Sequence, residues 1–225
     1  MGQKDDFARK LSAIKAELHS EAKLLIVSKN RSAEEVRAYY ELGHRDFGEN
    51  KVQELEEKAS QLRGACPEIR WHMIGHLQSN KINHLFRVPN LHAIHSVHDR
   101  HLLDKLLAAR EKLSHPVKLF LQVNTSKEAE KSGFETYSDL EMAAESLKGG
   151  GKLELAGLMT MGTLRTEEFD AEAARCFQDL NVYKAKLQSE LGLRLETSMG
   201  MSQDYKIALR EKSNWIRLGT SMFQA

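Results

Sequence analysis

Residues 24–42 read LLIVSKNRSAEEVRAYYEL, and this stretch decides the architecture. Leu24 to Val27 is an apolar run too short for a helix and bulky enough for a strand buried on both faces. Lys29 closes it. Ser32 stands where a helix N-cap belongs, Glu35 three residues on completes a capping box, and the pattern continues helically to Leu42. Strand, loop and helix in succession make one βα unit. A lysine emerging from such a strand is partly desolvated, which disfavours its ammonium form and leaves a neutral amine able to condense with an aldehyde.

The unit repeats along the chain. Further strands are expected from Arg45 to Phe47, Arg70 to Ile74, Leu91 to His95, Val117 to Val123, Leu153 to Leu158, Leu195 to Thr197 and Trp215 to Leu218. Helical patterns run from about Asn50 to Leu62, Asn80 to Phe86, Arg100 to Leu113, Tyr137 to Leu147, Glu167 to Glu190 and Gln203 to Arg210. Gly149-Gly150-Gly151 reads as a helix-terminating turn. Eight strands alternating with helices, behind one extra amino-terminal helix, predict an α/β fold, a (β/α)8 TIM barrel formed by a single domain over residues 1–225. A doubly wound open sheet is the competing arrangement.

Bulk composition narrows the function. Lysine plus arginine (33) nearly cancels aspartate plus glutamate (32), which argues against nucleic acid or an anionic membrane as main partner and leaves room for a local anion site. Cys66 and Cys176 lack metal-ligand spacing and form no disulfide framework, as expected of a cytoplasmic protein. Residues 1–18 are charged and amphipathic, unlike a signal peptide, and no stretch reaches the length of a membrane span. Asp6 stands where a myristoylation signal needs serine or threonine.

Barrel chemistry collects at the carboxyl ends of the strands. There the chain places Lys29, Gly48-Glu49-Asn50, His72 and Gly75, Asn124, Met159, Ser198 to Ser202 and Arg217 to Thr220. The loops after strands seven and eight are the usual phosphate cradle, and Gly200, Ser202, Gly219 and Thr220 have suitable chemistry. An amine on one strand and a phosphate cradle across the rim suit a phosphorylated aldehyde. A Schiff-base aldolase acting on a sugar phosphate and a pyridoxal 5′-phosphate protein both satisfy that description.

Seven ordered motifs then resemble a known family: VSK (27–29), FGEN-x-VQE (47–54), WH-x-IG-x-LQSNK (71–81), KSG (131–133), GLMTM (157–161), SMGMS-x-D (198–204) and R-x-GT (217–220). They resemble the pyridoxal phosphate homeostasis proteins, single-domain relatives of the alanine racemase amino-terminal barrel. The resemblance implies that Lys29 carries pyridoxal 5′-phosphate as an internal aldimine. Ser202, Gly219 and Thr220 would hold the phosphate, Arg217 would face the pyridine nitrogen, and Asn50, His72 and Met201 would lie near the cofactor. It also implies a monomer, with apo-enzymes that receive the cofactor as partners. An arginine cannot accept a proton, so a ring nitrogen facing Arg217 stays unprotonated and the cofactor is a weak electron sink.

Racemases complete their site with a tyrosine from a second domain, for which no room is expected after the eighth strand. The implied role is a homeostasis protein with little or no turnover; the alternative is an amino-acid racemase. The chain departs from the family pattern at Asn30-Arg31-Ser32, where a proline is common and whose loss predicts a less rigid loop. Further departures are His76 for proline, Lys51 for tyrosine, and Phe223-Gln224-Ala225, which lacks a usual glycine.

Other features receive plainer readings. His92, His95, His98 and His101 straddle a strand and the following helix, so they are not expected to share a face or bind metal. Lys81 and Lys131 are expected at the rim. Glu49 reads as a cap or ion-pair partner, and Met159, Met161, Met199 and Met201 as packing around a ligand or core.

Overall fold

The computed structural model describes residues 2–163 and 166–224. Its eight parallel strands are β1 (Lys23–Val27), β2 (Asp46–Glu49), β3 (Arg70–Met73), β4 (Leu91–Val97), β5 (Val117–Gln122), β6 (Leu153–Met159), β7 (Glu196–Ser198) and β8 (Trp215–Leu218). They pair in chain order and close, with β8 against β1 in register from Lys23↔Trp215 to Ile26↔Leu218. The barrel is therefore the expected (β/α)8 arrangement, not an open sheet.

Nine helices surround it among the described residues. They are α1 (Gln3–Glu17), α2 (Ala33–Glu41), α3 (Val52–Leu62), α4 (Ile82–Leu85), α5 (Arg100–Ala109), α6 (Tyr137–Glu145), α7 (Phe169–Leu191), α8 (Tyr205–Arg210) and α9 (Thr220–Phe223). Ser32 caps α2 as expected: its hydroxyl accepts from the Glu35 N–H at 3.2 Å, and the Glu35 carboxylate accepts from the Ser32 N–H at 2.9 Å. Helix faces such as Val36 and Tyr39 of α2 and Phe177 and Leu180 of α7 are fully buried outside the barrel. Each such side chain contributes roughly 1.5–3 kcal/mol by leaving water. Inside the barrel, Leu25, Ala93, Phe120, Met159 and Trp215 form a separate apolar cluster.

Two boundaries differ from the sequence reading in ways that matter. β2 continues to Glu49, because Gly48 and Glu49 pair with His72 and Met73 of β3. Glu49 is thus a fully buried strand residue rather than a loop carboxylate. The unexpected α9 follows Gly219 and turns Phe223 inward, where it meets Phe7 of α1 and Tyr39 of α2 edge-on at 5.7 and 5.3 Å. Phe7 and Tyr39 stack at 4.4 Å, so the extra amino-terminal helix and the last turn of chain share one aromatic cluster. Ala225, part of the expected departure at the carboxyl end, lies outside the described residues.

Candidate functional site

Lys29 leaves β1 in a short loop fastened on both sides by carboxylates from the next βα unit. Ser28 donates its hydroxyl to Glu49 Oε1 at 2.7 Å, and Lys58 of α3 donates to that oxygen and to the Ser28 carbonyl, each at 2.6 Å. On the other side the Asn30 N–H donates to Glu54 at 3.1 Å, while Asn30 adopts a left-handed φ of 57°. Asparagine tolerates that conformation because its short amide bonds locally. The loop without proline is held by these hydrogen bonds. Glu49 is an ion-pair partner, as one of its readings had it. Burial pushes its carboxyl above the usual range, against the opposing pull of Lys58 and Ser28.

Lys29 itself is exposed, so the desolvation expected from its strand is absent. Its amine has no hydrogen-bond or ion-pair partner among the described residues, whereas Lys58 and Lys131 are both paired. It opens onto a cavity of about 470 Å³ at the carboxyl end of the barrel. Lys29, Asn50, Met201, Ser202, Arg217, Gly219 and Thr220 all line this cavity, so the fold brings together seven of the eight residues singled out from sequence. Val27, Ile74, Met159 and Met161 give it apolar walls.

Asn50 reaches the rim because Gly75 allows the backbones to touch; a Cβ at Gly75 would lie 2.2 Å from the Asn50 carbonyl oxygen. The Asn50 Oδ1 is buried with no partner among the described residues. Gly200 serves the turn rather than the cavity: its φ is +96°, a Cβ there would meet Ala208 at 2.5 Å, and it is absent from the lining. Ser202 and Thr220 are left with hydroxyl groups and backbone N–H groups that bond no protein acceptor among the described residues. That is the chemistry of an anion cradle.

At the cavity floor Arg217 is buried and donates to Ser198 Oγ at 2.8 Å and to the Thr160 carbonyl at 2.9 Å. Burial lowers its pKa to about 10, partly offset by the Asp204 carboxylate, so it stays cationic at neutral pH. Asp204, which sequence reasoning passed over, lines the same cavity. Its Oδ1 accepts from the Met201 N–H at 2.5 Å, its Oδ2 is buried without a partner among the described residues, and burial raises its pKa above the ordinary aspartate value.

His72 is the exception among the eight. It lies wholly buried inside the barrel, bonded to His95 and Asp46, and does not line the cavity. The four spaced histidines do not share one face, as expected. His92 and His95 both bring their rings within 5.3 Å of His72, while His98 packs on His76 at 4.4 Å. Lys81 and Lys131 do not line the cavity either; Lys131 instead bonds Glu128 and the Gly162 carbonyl. A larger hollow of about 740 Å³ opens at the opposite mouth, but it sits at the amino ends of the strands, where Lys23 pairs with Glu196 and Arg194 with Glu21. Reactive groups in these barrels sit at the other end.

The model of the family described as "Alanine racemase, N-terminal domain" matches residues 3–225. This chain belongs to the alanine racemase N-terminal domain family. Within the family it resembles the pyridoxal phosphate homeostasis protein of Bos taurus, at 40% identity over 211 residues, covering 89% of this chain and 76% of that one. It also resembles PipY of Synechococcus elongatus, solved without PLP (TM-score 0.88) and with PLP bound (TM-score 0.86), each 35% identical over 96% of this chain and 99% of that one. Alanine racemase from Clostridium difficile shares the fold at 15% identity and a TM-score of 0.75, with 97% of this family member covering 56% of that chain.

Proposed function

We propose that this protein binds pyridoxal 5′-phosphate as a homeostasis protein, covalently through Lys29, with little or no turnover. The observation that carries the reading is the unpartnered Lys29 amine, facing one cavity with the unsatisfied donors of Ser202 and Thr220 and the cationic Arg217. The names of the homeostasis relatives and the PLP-bound PipY support it. When bound, the cofactor supplies an aldehyde, which condenses with the lysine amine to a Schiff base and one water.

The chain's own groups do the rest. Ser202, Gly219 and Thr220 hold the phosphate with hydroxyl and N–H donors. Arg217 presents only donors to the ring nitrogen and keeps a proton off it. Asn50 offers its free Oδ1 as an acceptor, and Met201 packs nearby. Racemisation by a two-base route needs acid and base groups on both faces of the substrate. Apart from Lys29, the titratable side chains lining the cavity are Asp204 and Arg217; Arg217 is held by Ser198 and Thr160, and Asp204 is tied through Oδ1 to the Met201 N–H. This favours carriage over racemisation. Lys29 at an open mouth also suits release to apo-enzymes.

Among the described residues no helix is long and apolar enough to cross a membrane. The two free, buried cysteines fit a reducing compartment, so we place the protein in the cytoplasm as a monomer of one domain over residues 1–225.

The test is absorption spectroscopy of protein loaded with pyridoxal 5′-phosphate, followed by borohydride reduction and peptide mapping. An imine band and a reduced adduct on Lys29, both lost in Lys29→Ala, are expected. Loaded protein with no imine band would overturn the function, and an unchanged band in Lys29→Ala would overturn the site.

A further inference from the structure

One line of polar contacts crosses the barrel interior beneath the cavity. Arg217 of β8 donates to Ser198 Oγ of β7 at 2.8 Å, and Ser198 Oγ lies 2.8 Å from His95 Nδ1 of β4. His95 Nε2 is 3.0 Å from His72 Nδ1 of β3, and His72 Nε2 is 3.1 Å from Asp46 Oδ1 at the start of β2. Arg70 closes the line with two bonds to Asp46, at 2.7 and 2.5 Å. Apart from Arg70, every member is buried.

Proton placement follows from the ends. Although burial works to raise it, Asp46 is held well below the usual carboxylate range by Arg70 and His72, so it accepts and His72 carries its proton on Nε2. Burial keeps both histidines neutral, and a neutral imidazole has one donor and one acceptor. His72 Nδ1 must then accept from His95 Nε2–H, which leaves His95 Nδ1 to accept from the Ser198 hydroxyl. Ser198 Oγ keeps a lone pair for Arg217. Every proton from Arg217 to Asp46 points the same way, away from the cavity floor.

We propose that Ser198, His95, His72 and Asp46 form a one-directional hydrogen-bond chain that fixes Arg217 as a donor at the cavity floor, making His72 and His95 positioning residues for a ring-nitrogen acceptor. This rests on the pyridoxal phosphate reading above. The chain does not touch the ligand. It works by holding the guanidinium on Ser198, so that its unused N–H groups keep one orientation. The arrangement also gives a reason for four strands, β2, β3, β4 and β7, to spend interior positions on polar residues.

The test has two arms. In protein labelled with ¹⁵N-histidine and free of cofactor, long-range ¹⁵N–¹H spectra at neutral pH are expected to show His72 and His95 as neutral Nε2–H tautomers. A proton on Nδ1 of either ring overturns the chain. In the second arm, pyridoxal 5′-phosphate is titrated into wild type, Ser198→Ala, Ser198→Thr and His95→Asn, with melting curves as a check on folding. Ser198→Ala and His95→Asn are expected to bind about tenfold more weakly and shift the bound cofactor's absorption, while Ser198→Thr, which keeps the hydroxyl, restores both. Equal affinity and an unchanged spectrum in folded Ser198→Ala and His95→Asn overturn the proposal. Wild type that takes up no cofactor refutes the pyridoxal phosphate reading instead, and leaves the tautomer arm to decide the chain.

Discussion

Replacing Lys58 by methionine removes a cation while nearly keeping its volume. In the native protein the Glu49 side chain is fully buried and the Lys58 side chain is 9% exposed, with their charged atoms 2.6 Å apart. Lys58→Met deletes that bond and a second one, at 2.6 Å, to the Ser28 carbonyl. Glu49 then keeps one donor, Ser28 Oγ, and its Oε2 already has none among the described residues. Leaving a buried charge unpartnered costs about 3–5 kcal/mol. For a chain of this size that lowers the melting temperature by roughly 6–20 °C. The loss depends on pH. Without Lys58, burial raises the Glu49 pKa further above its unfolded value, so the variant loses stability as pH rises through the carboxylate range and approaches wild type below it. Adding Glu49→Gln removes the buried charge and should recover most of the loss. Urea unfolding of the three proteins at pH 7 and pH 5 measures this. A single variant within about 1 kcal/mol of wild type at pH 7, or a double variant no better than the single, would refute the reasoning.

The other expectations are briefer. His44 is buried and its pKa lies near 4, lowered from 6.5 by desolvation, so the unfolded chain binds protons first and stability falls as pH drops from 6.5 to 4. Its share is on the order of 3 kcal/mol by pH 4, with His72, His92 and His95 adding in the same direction, and urea midpoints across that range measure it. Gly75→Ala forces a Cβ against the Asn50 backbone, and should cost about 1–3 kcal/mol in melts and weaken cofactor binding in titrations. Lys29→Ala removes an exposed, unpartnered amine, so its unfolding free energy should match wild type within about 0.5 kcal/mol while the imine band disappears. Ser32→Ala opens the capping box of α2 and should cost about 1 kcal/mol in chemical denaturation.

How much of this the sequence could disclose depends on range. The strands were legible because each is a local apolar run, and barrel closure turns strand order into geometry: once Lys29, Ser202, Arg217 and Thr220 sit at carboxyl ends, topology alone gathers them. Asn50 came with them because a tight glycine followed it in the next strand end. The burial of Glu49 in a strand was hidden by a two-residue error in a strand boundary, since no local pattern shows that pairing with β3 extends β2. That His72 stops short of the cavity lining was hidden for a similar reason. Strand alternation says that a residue points inward but not how deep, and its partners His95 and Asp46 stand 23 and 26 residues away, with Ser198 a further 103 beyond His95. α9 was missed because four residues carry too little periodicity to announce a turn of helix.

Depth in the barrel also separates polar groups by their satisfaction. Below the cavity, His72, His95, Ser198 and Arg217 are buried, and each has partners, which is the condition on which an interior tolerates polarity. At the cavity wall the condition fails. Asn50 Oδ1 and Asp204 Oδ2 are buried without partners among the described residues; the Glu49, His19, Trp71 and Asn181 atoms in the same state belong to residues away from the lining. An unsatisfied buried group costs about 1–3 kcal/mol, and a ligand hydroxyl that donates to either atom recovers that cost on binding. A protein that carries its ligand without transforming it has no transition state on which to spend that energy. Under the proposed carrier role that energy would go into retention, and a reversible linkage at the exposed Lys29 would set how the ligand leaves.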